Sequence, residues 1–220
     1  MARKHEGEAL EKRSIEMRAE ETEAGKELTL VPVVFGQETR INDWWSGDTY
    51  REIISPTALD GCDMSDVLLS VANHEYEMIP LARSKNGKGT LKLEVTPTGL
   101  VARTALDVEG NPAAAMLYSA VRRGDITGAS FMFRVGADHW QDLSSDEPLR
   151  IIDTISVIHE VSAVNDPAYP QTSISARSAE ETGPSPLEEA RARARAEEET
   201  EARARELEIA KARNRIKVIM

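Results

Sequence analysis

The sequence predicts a mainly β fold of the α+β class, an antiparallel sheet or barrel-like core with few helices and a charged helical tail at the C-terminus. Two observations predict it. β-prone runs follow one another through turns without a helix between each pair, which argues against a doubly wound parallel sheet. Residues 187–220, in contrast, are low in complexity and rich in Glu, Arg and Ala, with Glu199 to Arg203 and Glu201 to Arg205 spaced for i,i+4 support on a helix.

The elements follow in order. Residues 1–27 are almost all charge and helix former, with too few apolar side chains to offset the entropy of ordering them, so they read as a flexible arm. From Leu28 the composition turns apolar, and LTLVPVVF and DVLLSVANH both read as strands. TLKLEVTPTGLVARTALD holds two alternating runs around Thr96-Pro97-Thr98-Gly99. Pro there presets a turn and Gly permits a positive φ, so a hairpin is expected. Asn111 as N-cap, Pro112 at the first helical position and Gly124 as the stop frame one short helix, with Met116, Leu117, Ala120 and Val121 as its apolar face. ITGASFMFRV and IIDTISVIHEVSAV follow as long β-prone runs on either side of the polar segment DHWQDLSSDEP. The expected organisation is therefore an arm over 1–27, a domain over 28–177, a linker over 178–186 marked by EETGPSP, and the helical tail over 187–220. That tail lacks a continuous apolar stripe, as in a helix that is solvated or awaits a partner.

Composition restricts the partners. The chain has 220 residues and a formal charge of -11, which opposes attraction to phosphate backbones, so nucleic acid is not expected and protein partners are. Cys62 is the single cysteine, so no internal disulfide is available and a reducing compartment is expected. Neither a secretory signal nor a run long enough to span a bilayer is found, and no membrane association is expected.

Acyl transfer needs a nucleophile, a base close to neutral pKa and a group that orients the base. Of the four histidines, His5 lies in the arm and His139 in a polar segment, whereas His74 ends an apolar strand where the chain leaves the core. Ser130 in GDITGASFMFRV follows Gly128 and Ala129, whose small side chains let a substrate backbone approach. Position 132 is Met, so this is not the G-x-S-x-G elbow of an α/β-hydrolase. Glu160 is a carboxylate in an apolar strand, either paired with a cation or turned to solvent. His159 adjoins it, and strand alternation lets only one of the two face a given cleft. A Cys62 or metal hydrolase is disfavoured: Cys62 sits in a Gly-Cys-Asp turn without an identifiable base, and His74-Glu75 lacks the second histidine of H-E-x-x-H.

The ordered set YREIISPTAL, NHEYEMIPLAR, GDITGASFMF and HEVSAVNDPAYP resembles the phage prohead serine protease family, from about Ile15 to about Ala176. The resemblance implies a partly helical antiparallel β-barrel related to the herpesvirus assembly protease, with Ser130 as nucleophile, His74 as base and Glu160 as the third residue. His159 is the alternative third residue, because the herpesvirus relatives use a second histidine. Two departures, Pro80-Leu81-Ala82-Arg83 for Pro-Leu-Gly-Arg and Asn165-Asp166 for Thr-Phe, bear on pocket shape more than on chemistry. The implied protein is a serine endopeptidase without metal or organic cofactor, acting in the host cytoplasm inside the prohead. Its implied partners are the major capsid protein with its scaffold segment and the protease itself, with self-association or encapsidation through the C-terminal helix. The rival expectation is an inactive capsid-assembly scaffold.

Overall fold

The computed structural model describes residues 10–22, 25–43, 46–71, 79–164, 173–174 and 184–219. The strands are β1 (Leu10–Thr22), β2 (Gly25–Val34), β3 (Thr39–Asn42), β4 (Thr49–Ile54), β5 (Asp66–Val71) and β6 (Ala82–Lys85), followed by β7 (Lys88–Gly89), β8 (Lys92–Thr96) and β9 (Gly99–Ala105). Helix α1 (Pro112–Arg123) comes next, then β10 (Gly128–Gln141), β11 (Leu149–Val164), β12 (Ser173–Ile174) and helix α2 (Pro186–Ile219). The chain parts into two compact units at Gly183.

The first unit is the mainly β structure expected, and its sheet runs β12-β3-β4-β11-β10-β1-β2-β9-β8. Two features differ from the expectation. Among the described residues β12 and β8 do not pair, so the sheet is open where a barrel-like closure was expected. The sheet is also mixed: β4 and β5 both lie parallel to β11, which is long enough to take β4 at Leu149–Ile152 and β5 at Glu160–Ala163 along one edge.

Residues 10–22, assigned from sequence to a flexible arm, form β1 instead. Its first half pairs with β10 from Leu10 to Glu16 and its second half with β2 from Met17 to Thr22. A segment with few apolar residues orders here because neighbouring strands satisfy its backbone hydrogen bonds, a tertiary effect that composition does not report.

A single apolar cluster fills the interior, drawn from Leu28, Leu30 and Val33 of β2, Leu100 and Ala102 of β9, Phe131 and Phe133 of β10, and Ile158, Val161 and Ala163 of β11. Leu30 and Val33 both reach it although three positions apart, because the β2–β9 register slips between them. Pro32 lies in that slip, where its missing N–H costs no ladder bond.

The β8–β9 hairpin closes through Pro97-Thr98, with Thr96 paired to Gly99. Gly99 has φ 150, and a Cβ there would overlap the carbonyl oxygen of Val33, so β2 approaches too closely for any other residue. Helix α1 starts with the Asn111 side chain accepting from the Ala113 N–H at 3.0 Å and stops at Gly124 in the left-handed region with φ 77. Its buried face is Ala114, Leu117, Tyr118 and Val121, while Met116, expected on that face, is exposed.

In the second unit α2 opens on a reciprocal cap. The Ser185 hydroxyl accepts from the Glu188 N–H at 3.1 Å, and the Glu188 carboxylate accepts from the Ser185 N–H at 2.8 Å. The expected pairs form, Arg203 to Glu199 at 3.5 Å and Arg205 to Glu201 at 3.1 Å. No helix among the described residues is long and apolar enough to cross a membrane.

Candidate active site

Ser130 is near the start of β10. Ala129, Phe131 and Phe133 of that strand belong to the core, the two rings stacked at 4.4 Å, so alternation sends Gly128, Ser130 and Met132 to the opposite face. That face is also covered, since Ser130 is 4% exposed and Met132 2%.

Register then assembles a row of serine positions. Ser130 stands opposite Ser14 of β1 on one side and Ser162 of β11 on the other, and Ser162 is paired in turn with Ser70 of β5. Paired residues of adjacent strands share a face, so the buried Ser130, Ser162 and Ser70 lie side by side. Glu160 is one pleat further along β11, opposite Met132 and beside Leu68, and is diagonal to Ser130 at about 7–8 Å between backbones. Its exposure is 0%, so its carboxylate is held where only hydrogen bonds or a cation can offset the loss of water.

Strict alternation would separate His159 from Glu160. The register shifts between Met132 and Phe133, whose partners are Glu160 and Ile158, leaving His159 as the extra residue of a β-bulge. Ile158 and Val161 both enter the core across this three-residue step, so neither His159 nor Glu160 is directed there. The bulge interrupts strict alternation, so period-two spacing alone no longer puts His159 and Glu160 on opposite faces.

His74 lies outside the described residues, as does His5. What flanks His74 is well defined: β5 and β6 pair as neighbours from Asp66 with Lys85 to Leu69 with Ala82, and the Leu81 N–H donates to the Leu69 carbonyl at 2.8 Å. Arg83 grips Asp66 across this pair with two bonds, Nε to Oδ1 at 2.6 Å and Nη2 to Oδ2 at 2.5 Å. The guanidinium holds the Asp66 carboxyl below its ordinary value near 3.8.

His139 belongs to β10 rather than to a loop, and its Nδ1 lies 2.7 Å from Asp153 Oδ2. It sits at the far end of the strand from Ser130, roughly 30 Å away at a strand's rise per residue, so it cannot serve that hydroxyl. Burial, followed by the nearby charge of Asp63, pushes the Cys62 thiol up to about 12, so it stays protonated at neutral pH and is no nucleophile.

Sequence reasoning missed Ser162 and Ser70. Both carried a signal: each is a polar residue in an apolar strand, Ser162 two positions from Glu160 and hence on its face. A mainly β sheet with a buried row of hydroxyls beside a buried carboxylate offers a candidate nucleophile and a candidate orienting group. Residues 13–184 match the model of the caudovirus prohead serine proteases, and the chain belongs to that family. No curated protein and no solved structure matches it significantly.

Proposed function

We propose that this prohead protease is the endopeptidase of capsid maturation, with Ser130 as nucleophile, His74 as general base and Glu160 orienting the imidazole. The Ser130 hydroxyl attacks a peptide carbonyl while His74 takes its proton; the amine leaves with that proton and water releases the acyl group. Glu160 fixes one imidazole tautomer and stabilises the imidazolium. The mechanism calls for neither metal nor organic cofactor.

The reading is supported by the parallel pairing of β5 with β11. β5 runs in the direction of β11, and its last residue Val71 pairs with Ala163, one residue before β11 ends. The chain therefore leaves β5 toward His74 at the end of the sheet where β10 begins, two residues before Ser130. Ser70 and Ser130 are separated by two strand spacings, about 10 Å. The four residues from Ser70 to His74 span at most about 13–14 Å, which is enough to bring the imidazole to the hydroxyl. Glu160 is preferred over His159 because it is fully buried on the Ser130 face.

The substrates on this reading are the capsid protein with its scaffold segment and the protease itself, cleaved inside the prohead in the host cytoplasm. The core is a relative of the herpesvirus assembly protease, and α2 serves encapsidation or self-association. Co-expression with the capsid protein tests the assignment. Ser130→Ala and His74→Ala are each expected to lower cleavage by about 10³-fold or more. Normal cleavage by either variant removes the role given to that residue, and no cleavage even with the wild-type chain leaves the scaffold reading.

A further inference from the structure

We propose that the cavity beside α1, separate from Ser130, binds an acidic peptide segment through its carboxylates. The cavity has a volume of about 430 Å³, within the range of ligand pockets, and its walls include Lys26, Tyr118, Arg122 and Arg123. Arg122 and Arg123 lie in the last turn of α1, where cations answer the carbonyl dipole of any helix. Lys26 needs a different explanation, since it comes from β2 and converges on the same space. Its Nζ is 5.6 Å from the centre of the Tyr118 ring, and the Arg122 guanidinium is 6.0 Å from it. One aromatic ring thus carries two cations from two elements.

The cations differ in what already engages them. Arg123 is bound to Asp125 at 2.5 Å and to the Ser119 hydroxyl at 2.5 Å. Lys26 and Arg122 have no carboxylate partner among the described residues. Tyr118 is 4% exposed with its hydroxyl buried, so the cavity meets its ring and not its donor. A chain of net charge -11 has thus gathered, in one concavity, two cations from two elements without an ion-pair partner among the described residues.

Val108, Ala115 and the Tyr118 ring supply apolar wall for the methylene stem of a glutamate. Glu109 on the same wall and the acidity of the whole chain repel every polyanion, but most of all a phosphate backbone with a charge on each unit. A peptide can space its carboxylates, so a peptide is favoured over nucleic acid. The site does not depend on the role given to Ser130, and binding alone tests it.

Fluorescence anisotropy of a labelled glutamate-rich peptide would be measured against the full-length chain, with its glutamine counterpart and a single-stranded oligonucleotide as competitors. We expect affinity to fall about tenfold or more in Lys26→Gln/Arg122→Gln. Glu109→Gln should tighten binding about twofold by removing repulsion, and it keeps the test decisive if the double variant melts early. Equal affinity for the glutamine peptide, unchanged affinity in the folded double variant, no tightening in Glu109→Gln, or full displacement by the oligonucleotide would each overturn the proposal.

Discussion

The β10–β11 pair carries a buried polar cluster at each end, and the two are built differently. At the far end Arg150 is 4% exposed at its side chain, bonded through Nη1 to Glu52 at 3.2 Å and through Nε to Asp138 at 2.7 Å, with the Trp140 ring centre 5.8 Å from its guanidinium. That is charge against charge in a dry site, where removing one partner strands the others. At the near end the fully buried Glu160 is grouped with the hydroxyls of Ser130, Ser162 and Ser70. Hydroxyls can donate or accept and can lose a proton to a base, whereas a guanidinium does neither of the latter. Burial of a carboxylate therefore marks both ends equally, and it is the chemistry of its neighbours that makes the near end the candidate for catalysis on the proposed reading.

Substitution can break this contrast. The largest effect is expected from Glu160→Gln, which keeps the shape but loses the charge that, on the proposed mechanism, holds an imidazolium. Peptide cleavage should fall by about 10⁴-fold while the melting temperature moves little. A variant that melts far lower yet cleaves normally would make Glu160 a second Arg150. Arg150→Met should do the reverse. Leaving Glu52 and Asp138 buried without their cation costs about 3–5 kcal/mol in a denaturant titration, with cleavage per folded molecule retained.

Smaller changes sharpen the picture. Ser162→Ala removes the hydroxyl opposite Ser130 and should slow turnover about tenfold with little change in substrate binding. Alkylation of Cys62 by iodoacetamide should stay slow at neutral pH and quicken only as pH climbs toward its thiol value of about 12. The smallest effect is at Asp66, whose pKa lies lower folded than unfolded. Its pair with Arg83 therefore adds stability above the ordinary carboxylate value near 3.8, and this is lost as pH falls through the depressed value. Wild type and Asp66→Asn should thus differ slightly in melting temperature at neutral pH and converge in acid.

Local signals made much of the sheet legible. Thr96 to Gly99, the Asn111 cap, Pro112 and Gly124 act on their immediate neighbours, and all appear in the elements their types demand. Ser130 and Glu160 stood out because a polar residue amid apolar β-formers is a short-range anomaly. Non-local features were not readable. The ordering of β1 depends on two partners far along the chain, and the parallel seats of β4 and β5 on β11 depend on which edge is vacant. The bulge at His159 is set by how Phe133 and Ile158 share the core. Glu52 and Arg150 are far apart in the chain, and nothing in either neighbourhood names the other. Met116 is apolar yet exposed, because the buried face of α1 runs through Ala114, Leu117, Tyr118 and Val121, and hydrophobicity alone does not report that rotation.

One strand near the N-terminus stitches the two halves of the sheet, lying against β10 beside the serine row over its first half and against β2 over its second. A peptide bond severed between Glu16 and Met17 would part the two seams and leave the half that lies against β10 held by its ladder alone. The continuity of this one strand is therefore what ties the β2–β9–β8 part of the sheet to the part that holds Ser130.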